Sequence, residues 1–132
     1  LDYAKAFDRI SHPHLLKKLE ALGVAGSLLH WFDSYLSNRT LRVSYASALS
    51  RPIHATSGVP QGSHLGPFLF SLFINDIGEY ISGDFLLFAD DVKIFREISS
   101  AQQQNELQRD LDGVDQWCVI NEMDLNPTKC VS

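Results

Sequence analysis

Two short apolar runs, Phe85-Leu86-Leu87-Phe88 and Val92-Lys93-Ile94-Phe95, are separated by Ala89-Asp90-Asp91. Runs of this length and aromatic content read as two buried β-strands, and the residues between them are too few for anything but a tight hairpin. The reading puts Asp90 and Asp91 at the hairpin tip. Asp favours turns for backbone reasons alone. Two adjacent carboxylates on a stiff hairpin also repel each other unless a cation neutralises them, so the tip is a candidate seat for divalent metal. The rest of the chain has to decide between the two.

The 132 residues suffice for one domain with a sizeable core, and 45% apolar against 20% charged residues is ordinary for a globular protein. No apolar run reaches the length of a membrane span. The longest, Pro67 to Ile74, is interrupted by Ser71 and followed by Asn75-Asp76, and reads as the start of a helix to about Tyr80. A formal charge of −5 argues against a nucleic-acid partner. Metal bound to carboxylates would soften that argument. Cys118 and Cys130 lack paired zinc spacing, a reducing interior is expected, and the histidines form no ligand pattern. The chain opens at Leu1-Asp2 without Met and stops within an apparent element, so the expectation is a piece of a longer, intracellular protein, in cytoplasm and nucleus.

Elements alternate in type, which predicts a mixed α+β chain. Ser11 or His12 with Pro13 opens a helix to Leu22 with a buried stripe of Leu15, Leu19 and Leu22. A second helix spans about Ser27 to Leu36, with Leu28, Trp31, Phe32 and Tyr35 on one face. Leu41, Val43 and Tyr45 alternate with Arg42 and Ser44 as a half-exposed strand, with Ile53 to Thr56 as its partner. Ser57 to Ser63 is a loop by composition. Leu107, Leu111, Val114 and Trp117 mark a helix from about Ser100 to Asn121, before a short final segment. Trp31, Phe68, Phe70 and Phe73 read as core.

Four segments then fall in a recognisable order. Leu1-Asp2-Tyr3-Ala4-Lys5-Ala6-Phe7-Asp8, Ser57-Gly58-Val59-Pro60-Gln61-Gly62-Ser63 with Leu65-Gly66-Pro67, Phe88-Ala89-Asp90-Asp91, and Leu125-Asn126-Pro127-Thr128-Lys129-Cys130 resemble the successive palm motifs of reverse transcriptases. Their wording is similar to the non-LTR retrotransposon branch, of the jockey-like kind. The resemblance implies a polymerase palm over residues 1–132, an antiparallel sheet with helices packed on one face, with the fingers and thumb of the same polypeptide missing. It implies RNA-directed DNA synthesis: an RNA template, a DNA primer, deoxynucleotide triphosphates, no membrane, and two Mg²⁺ ions, for which Mn²⁺ can substitute.

By motif match, Asp2 and Asp90 would bridge the metals, with Asp91 as a third, less directly engaged carboxylate. Lys129 would protonate or stabilise the leaving pyrophosphate; its alternative is a solvent lysine. Phe7, five positions after Asp2, would lie under the sugar of the incoming nucleotide and screen out a 2′-hydroxyl. In the loop, Gly58 and Gly62 let backbone approach a ligand closely, and the resemblance sets Pro60 and Gln61 beside the nucleotide. His64 departs from the small apolar residue usual in that family. Asp8 reads as a helix-entry acid or a partner for Arg9, and Arg39, Arg42 and Arg51 as phosphate contacts or a solvated strand face. A non-catalytic retroelement remnant, at most a nucleic-acid-binding module, is the alternative from another class. A nucleotide cyclase palm is a third option, opposed by the Ser57 to Ser63 loop. The piece alone is expected to be inactive, since without fingers and thumb it cannot clamp a duplex.

Overall fold

A computed structural model of the chain describes residues 1–131. Four short antiparallel strands, β1 (Thr40–Leu41), β2 (Ser44–Tyr45), β3 (Ala48–Leu49) and β4 (Ile53–His54), follow three helices, α1 (Ala6–Arg9), α2 (His12–Ala21) and α3 (Gly26–Leu36). Helix α4 (Leu65–Ile74), a 3-10 helix (Asn75–Tyr80), the hairpin strands β5 (Asp84–Phe88) and β6 (Asp91–Phe95), and helix α5 (Ala101–Asn121) complete the fold. The mixed α+β class expected from the sequence is present. Pairing is antiparallel throughout: β1 with β4, β2 with β3, and β5 with β6.

The β5–β6 sheet is widened by two isolated bridges, Asp2 with Asp91 and Tyr3 with Leu125. The Val92 amide donates to the Leu1 carbonyl (3.1 Å), and Asn126 N–H to the Asp2 carbonyl and Ala4 N–H to the Asp124 carbonyl (2.8 Å each). The first residues of the chain therefore lie between β6 and the segment after α5. Alternation across this layer sorts the side chains. Tyr3 and Val92 are buried on one face, while Asp2 and Asp91 look out on the other.

The core is formed by α2, α4, the 3-10 helix and α5, around Leu15, Leu19, Phe70, Phe73, Ile77, Val114 and Trp117. One cation is threaded through it. Lys18 Nζ donates to the Phe73 carbonyl and to Asp76 Oδ1 (2.7 Å each) and lies 4.4 Å from the centre of the Phe73 ring. Trp117 Nε1 donates to the same Asp76 oxygen at 2.8 Å. Burial lowers the Lys18 pKa, and Asp76 acts against that shift. A second network fastens the hairpin to α5. Arg96, just after β6, pairs with Glu106 (2.8 Å) and Asp110 (3.0 Å), and the Ser82 hydroxyl and amide both donate to Asp110 Oδ1.

Several expectations are corrected. The hairpin strands are covered on one face only: Val92 is buried and Phe85 and Ile94 pack against the core, whereas Leu86 and Phe95 are exposed and Phe88 is 82% exposed. The two acids also do not share the tip, since Ala89 and Asp90 make the turn and Asp91 begins β6. Leu22 caps α2 in the open instead of completing its buried stripe. On α3 the buried residues are Phe32 and Leu36, while Leu28 and Trp31 face out and Trp31 stacks on Tyr35 (5.3 Å). Phe68 is exposed, unlike Phe70 and Phe73. Residues 40–54 form two short ladders, β1 with β4 and β2 with β3, instead of one continuous strand pair, and they are exposed on both faces. Helices α3 and α4 carry apolar residues on more than one face, so periodicity alone cannot say which face is covered. The expected single helix from Pro67 to about Tyr80 is instead two elements, with Asn75-Asp76 marking the change from α-helix to the 3-10 turn.

Candidate active site

The hairpin turn has Ala89 in the left-handed region, at φ 52°. Phe88 and Asp91 are register partners, so the loop between them holds only Ala89 and Asp90. Pairing Asp2 with Asp91 puts their side chains on one face, with Cβ atoms about 4.5–5.5 Å apart for directly opposed residues. Asp90 is the next residue toward the turn and is half-buried. Thus Asp2 and the adjacent pair Asp90 and Asp91, distant in sequence, come together at one end of the hairpin.

Asp2 Oδ1 is buried without a hydrogen-bond partner. The nearest cation is Lys129, whose Nζ stands 3.6 Å away and is largely exposed. A turn sets it there: the Asn126 side chain accepts from Thr128 N–H and its hydroxyl, and the Asn126 carbonyl accepts from Lys129 N–H (3.0 Å). A buried, unsatisfied carboxylate oxygen opposite a second carboxylate suits a hard divalent cation. Among the described residues no three His, Cys, Asp or Glu side chains form a ready-made ion cage. The arrangement fits Mg²⁺, which is commonly held by one or two carboxylates with substrate phosphates and water filling its shell.

The loop that follows β4 docks on the turn around α1. Gly58 N–H donates to the Ile10 carbonyl (2.8 Å) and Val59 N–H to the Phe7 carbonyl (2.9 Å). Gly58, at φ 79°, is required there, because a Cβ would stand 2.7 Å from Asp8 Cα. The Pro60 carbonyl accepts from Ser63, whose hydroxyl in turn receives Gly66 N–H and starts α4. Gly62 has open space around it at φ 78°. Phe7 is half-buried, its ring 4.8 Å from that of Phe70. Gln61 is exposed, and its Nε2 donates to Asp8 Oδ1 at 2.8 Å. Asp8 is therefore not the partner of Arg9, which pairs with Asp124. Arg39 is likewise committed: its guanidinium donates to the Leu36 and Gly58 carbonyls beside His12, whereas Arg42 and Arg51 stay exposed. The sequence alone carried no sign of the Asp8–Gln61 contact.

Beneath Asp2, the Tyr3 ring packs 6.0 Å from Trp117. Burial raises the Tyr3 phenol, and burial together with the Asp115 charge pushes the Cys118 thiol up to about 11. Both remain protonated near neutral pH and serve as packing. Cys118 and Cys130 are free. No helix among the described residues is long and apolar enough to cross a membrane.

The profile of the family described as reverse transcriptase (RNA-dependent DNA polymerase) matches residues 1–132. The RNA-directed DNA polymerase from mobile element jockey of Drosophila melanogaster is 37% identical over 144 residues, covering all of this chain and 15% of its own length. The jockey polymerase of Drosophila funebris is 31% identical and also covered to 15%. A probable RNA-directed DNA polymerase from transposon BS of Drosophila melanogaster is 30% identical and covered to 16%. The chain thus spans less than a fifth of these curated relatives. With the motif acids adjoining across the sheet and the match running end to end, the chain belongs to the reverse transcriptase family, in its non-LTR retrotransposon branch.

Proposed function

We propose that this chain is the palm of an RNA-directed DNA polymerase, adding deoxynucleotides to a DNA primer 3′ end on an RNA template. The observation that carries the reading is the pairing of Asp2 with Asp91 beside Asp90, with an Asp2 oxygen that is buried and accepts no hydrogen bond. Family membership supports the same reading. Two divalent ions held there would stabilise the attacking 3′ oxygen and the leaving pyrophosphate. Asp2 and Asp90 would be the principal ligands holding these ions, with Asp91 as the third, less directly engaged carboxylate. Lys129, already beside Asp2, offers its ammonium to the leaving group.

Phe7 lies in α1, five residues after Asp2, and its carbonyl accepts from Val59 N–H in the loop that carries Gly58, Pro60, Gln61 and Gly62. Its ring, backed by Phe70, screens the nucleotide sugar. Gly58 holds the loop backbone against Asp8, Gly62 leaves its backbone open to a ligand, and Gln61 touches the nucleotide. The 132-residue piece alone does not extend a primer, because positioning of the duplex is left to the rest of the polypeptide.

The test is primer extension by the full polypeptide that carries this segment, with an RNA template, DNA primer, deoxynucleotides and Mg²⁺. Template-directed extension by the wild type that Asp90→Ala abolishes is the expected result. Extension that survives Asp90→Ala unchanged rejects the assignment.

A further inference from the structure

The geometry points to Asp8 as a positioning residue that anchors Gln61 and fixes which end of its amide faces the open side of the site. The inference rests on the polymerase reading above and deepens it. Asp8 and Gln61 are brought together by backbone first. Ser57 hydroxyl donates to the Asp8 carbonyl (2.8 Å), Val59 N–H to the Phe7 carbonyl and Gly58 N–H to the Ile10 carbonyl. These contacts lock the loop to the turn that carries Phe7, and only a glycine at position 58 permits so close an approach.

Gln61 Nε2 then donates to Asp8 Oδ1 at 2.8 Å. Among the described residues no ion pair competes for Asp8, since the neighbouring Arg9 goes to Asp124. A carboxylate accepts hydrogen bonds and cannot donate one. The amide nitrogen must therefore face Asp8, leaving Oε1 as an acceptor directed elsewhere. A glutamine without this anchor rotates among several rotamers and presents either end. With it, one orientation is held by a charge-assisted hydrogen bond before a nucleotide arrives. The same contact joins the segment bearing the sugar screen to the loop bearing the nucleotide contact, so the two act as one wall.

The test is steady-state primer extension by the full polypeptide, reading KM for deoxynucleotide and kcat separately, with a melting curve for each variant. Asp8→Ala is expected to raise KM about 3- to 10-fold, the range of one hydrogen bond, with a smaller change in kcat. Asp8→Asn keeps an acceptor and is expected to recover part of that loss. In a Gln61→Ala background, Asp8→Ala is expected to add almost nothing, because its effect passes through Gln61. An unchanged KM in Asp8→Ala, or its full effect persisting without Gln61, overturns the assignment. If Asp8→Ala loses its melting transition, Asp8→Asn measured with and without Gln61 reads the same coupling. A wild type that incorporates no deoxynucleotide instead overturns the polymerase reading, and this assignment with it.

Discussion

Asp2 and Asp91 stand directly opposite each other on adjacent antiparallel segments, 89 positions apart in sequence, on the solvent side of a layer whose other side holds Tyr3 and Val92. Like charges directly opposed across a sheet destabilise it. The juxtaposition is therefore a cost to the fold when no cation is present.

That cost is measurable. In the full polypeptide in chelator, Asp91→Asn is expected to raise stability by about 0.2–1 kcal/mol, the size of a cross-strand pair effect. Added Mg²⁺ is expected to stabilise the wild type more than the variant. Thermal melts with and without Mg²⁺ check both. Equal shifts in the two proteins would count against a shared ion.

Gly58 and Gly62 both have positive φ, yet only Gly58 faces backbone at short range. Gly62→Ala meets open space and is expected to cost about 1–2 kcal/mol, the left-handed penalty alone. Gly58→Ala adds a steric clash with the Asp8 backbone and is expected to cost at least about 1 kcal/mol more. Chemical denaturation of the two variants gives the comparison.

Burial raises the Asp110 pKa, but donation from the Ser82 hydroxyl and amide and the charge of Arg96 outweigh it and leave the carboxyl below its usual range. The ionised form is thus bound more tightly in the fold. Its stabilisation is fully present above the unfolded value of about 3.9 and is lost as pH falls through the lower folded value. Unfolding free energies measured between neutral pH and about pH 3 are expected to fall less steeply in Asp110→Asn than in the wild type.

Ala89 occupies a left-handed position in the hairpin turn, where glycine is the unstrained choice. Ala89→Gly is expected to be neutral to stabilising, by up to about 1 kcal/mol, since relief of the left-handed strain exceeds the entropy that glycine adds to the unfolded chain. A melting curve checks the sign.

The hairpin is legible because aromatic and β-branched runs flank a short turn, α2 because Pro13 stands at its start, and α5 because Leu107, Leu111, Val114 and Trp117 recur at helical spacing. What eluded the sequence is what depends on a distant partner. Leu22, Trp31 and Phe68 are as apolar as Leu19, Phe32 and Phe70, and only the packed fold tells which of them are covered. Arg39 reads like Arg42 and Arg51 until its guanidinium is seen holding the Gly58 carbonyl. Asp8 is a helix-entry acid, as its place in the sequence suggests, but the alternative pairing with Arg9 does not form, since the two side chains reach across the fold to Gln61 and Asp124. The meeting of Asp2 with the hairpin acids followed from the motif resemblance, and the sheet register supplies its geometry.

In the proposed polymerase, Asp2 and the hairpin acids hold cations jointly. The most direct measurement counts Mn²⁺ bound per polypeptide by electron paramagnetic resonance. It would use the full polypeptide with template, primer and a non-reacting deoxynucleotide analogue, comparing wild type with Asp2→Asn. Two bound ions in the wild type and a loss of at least one in the variant are expected. An unchanged ion count on removing the Asp2 charge would contradict the account.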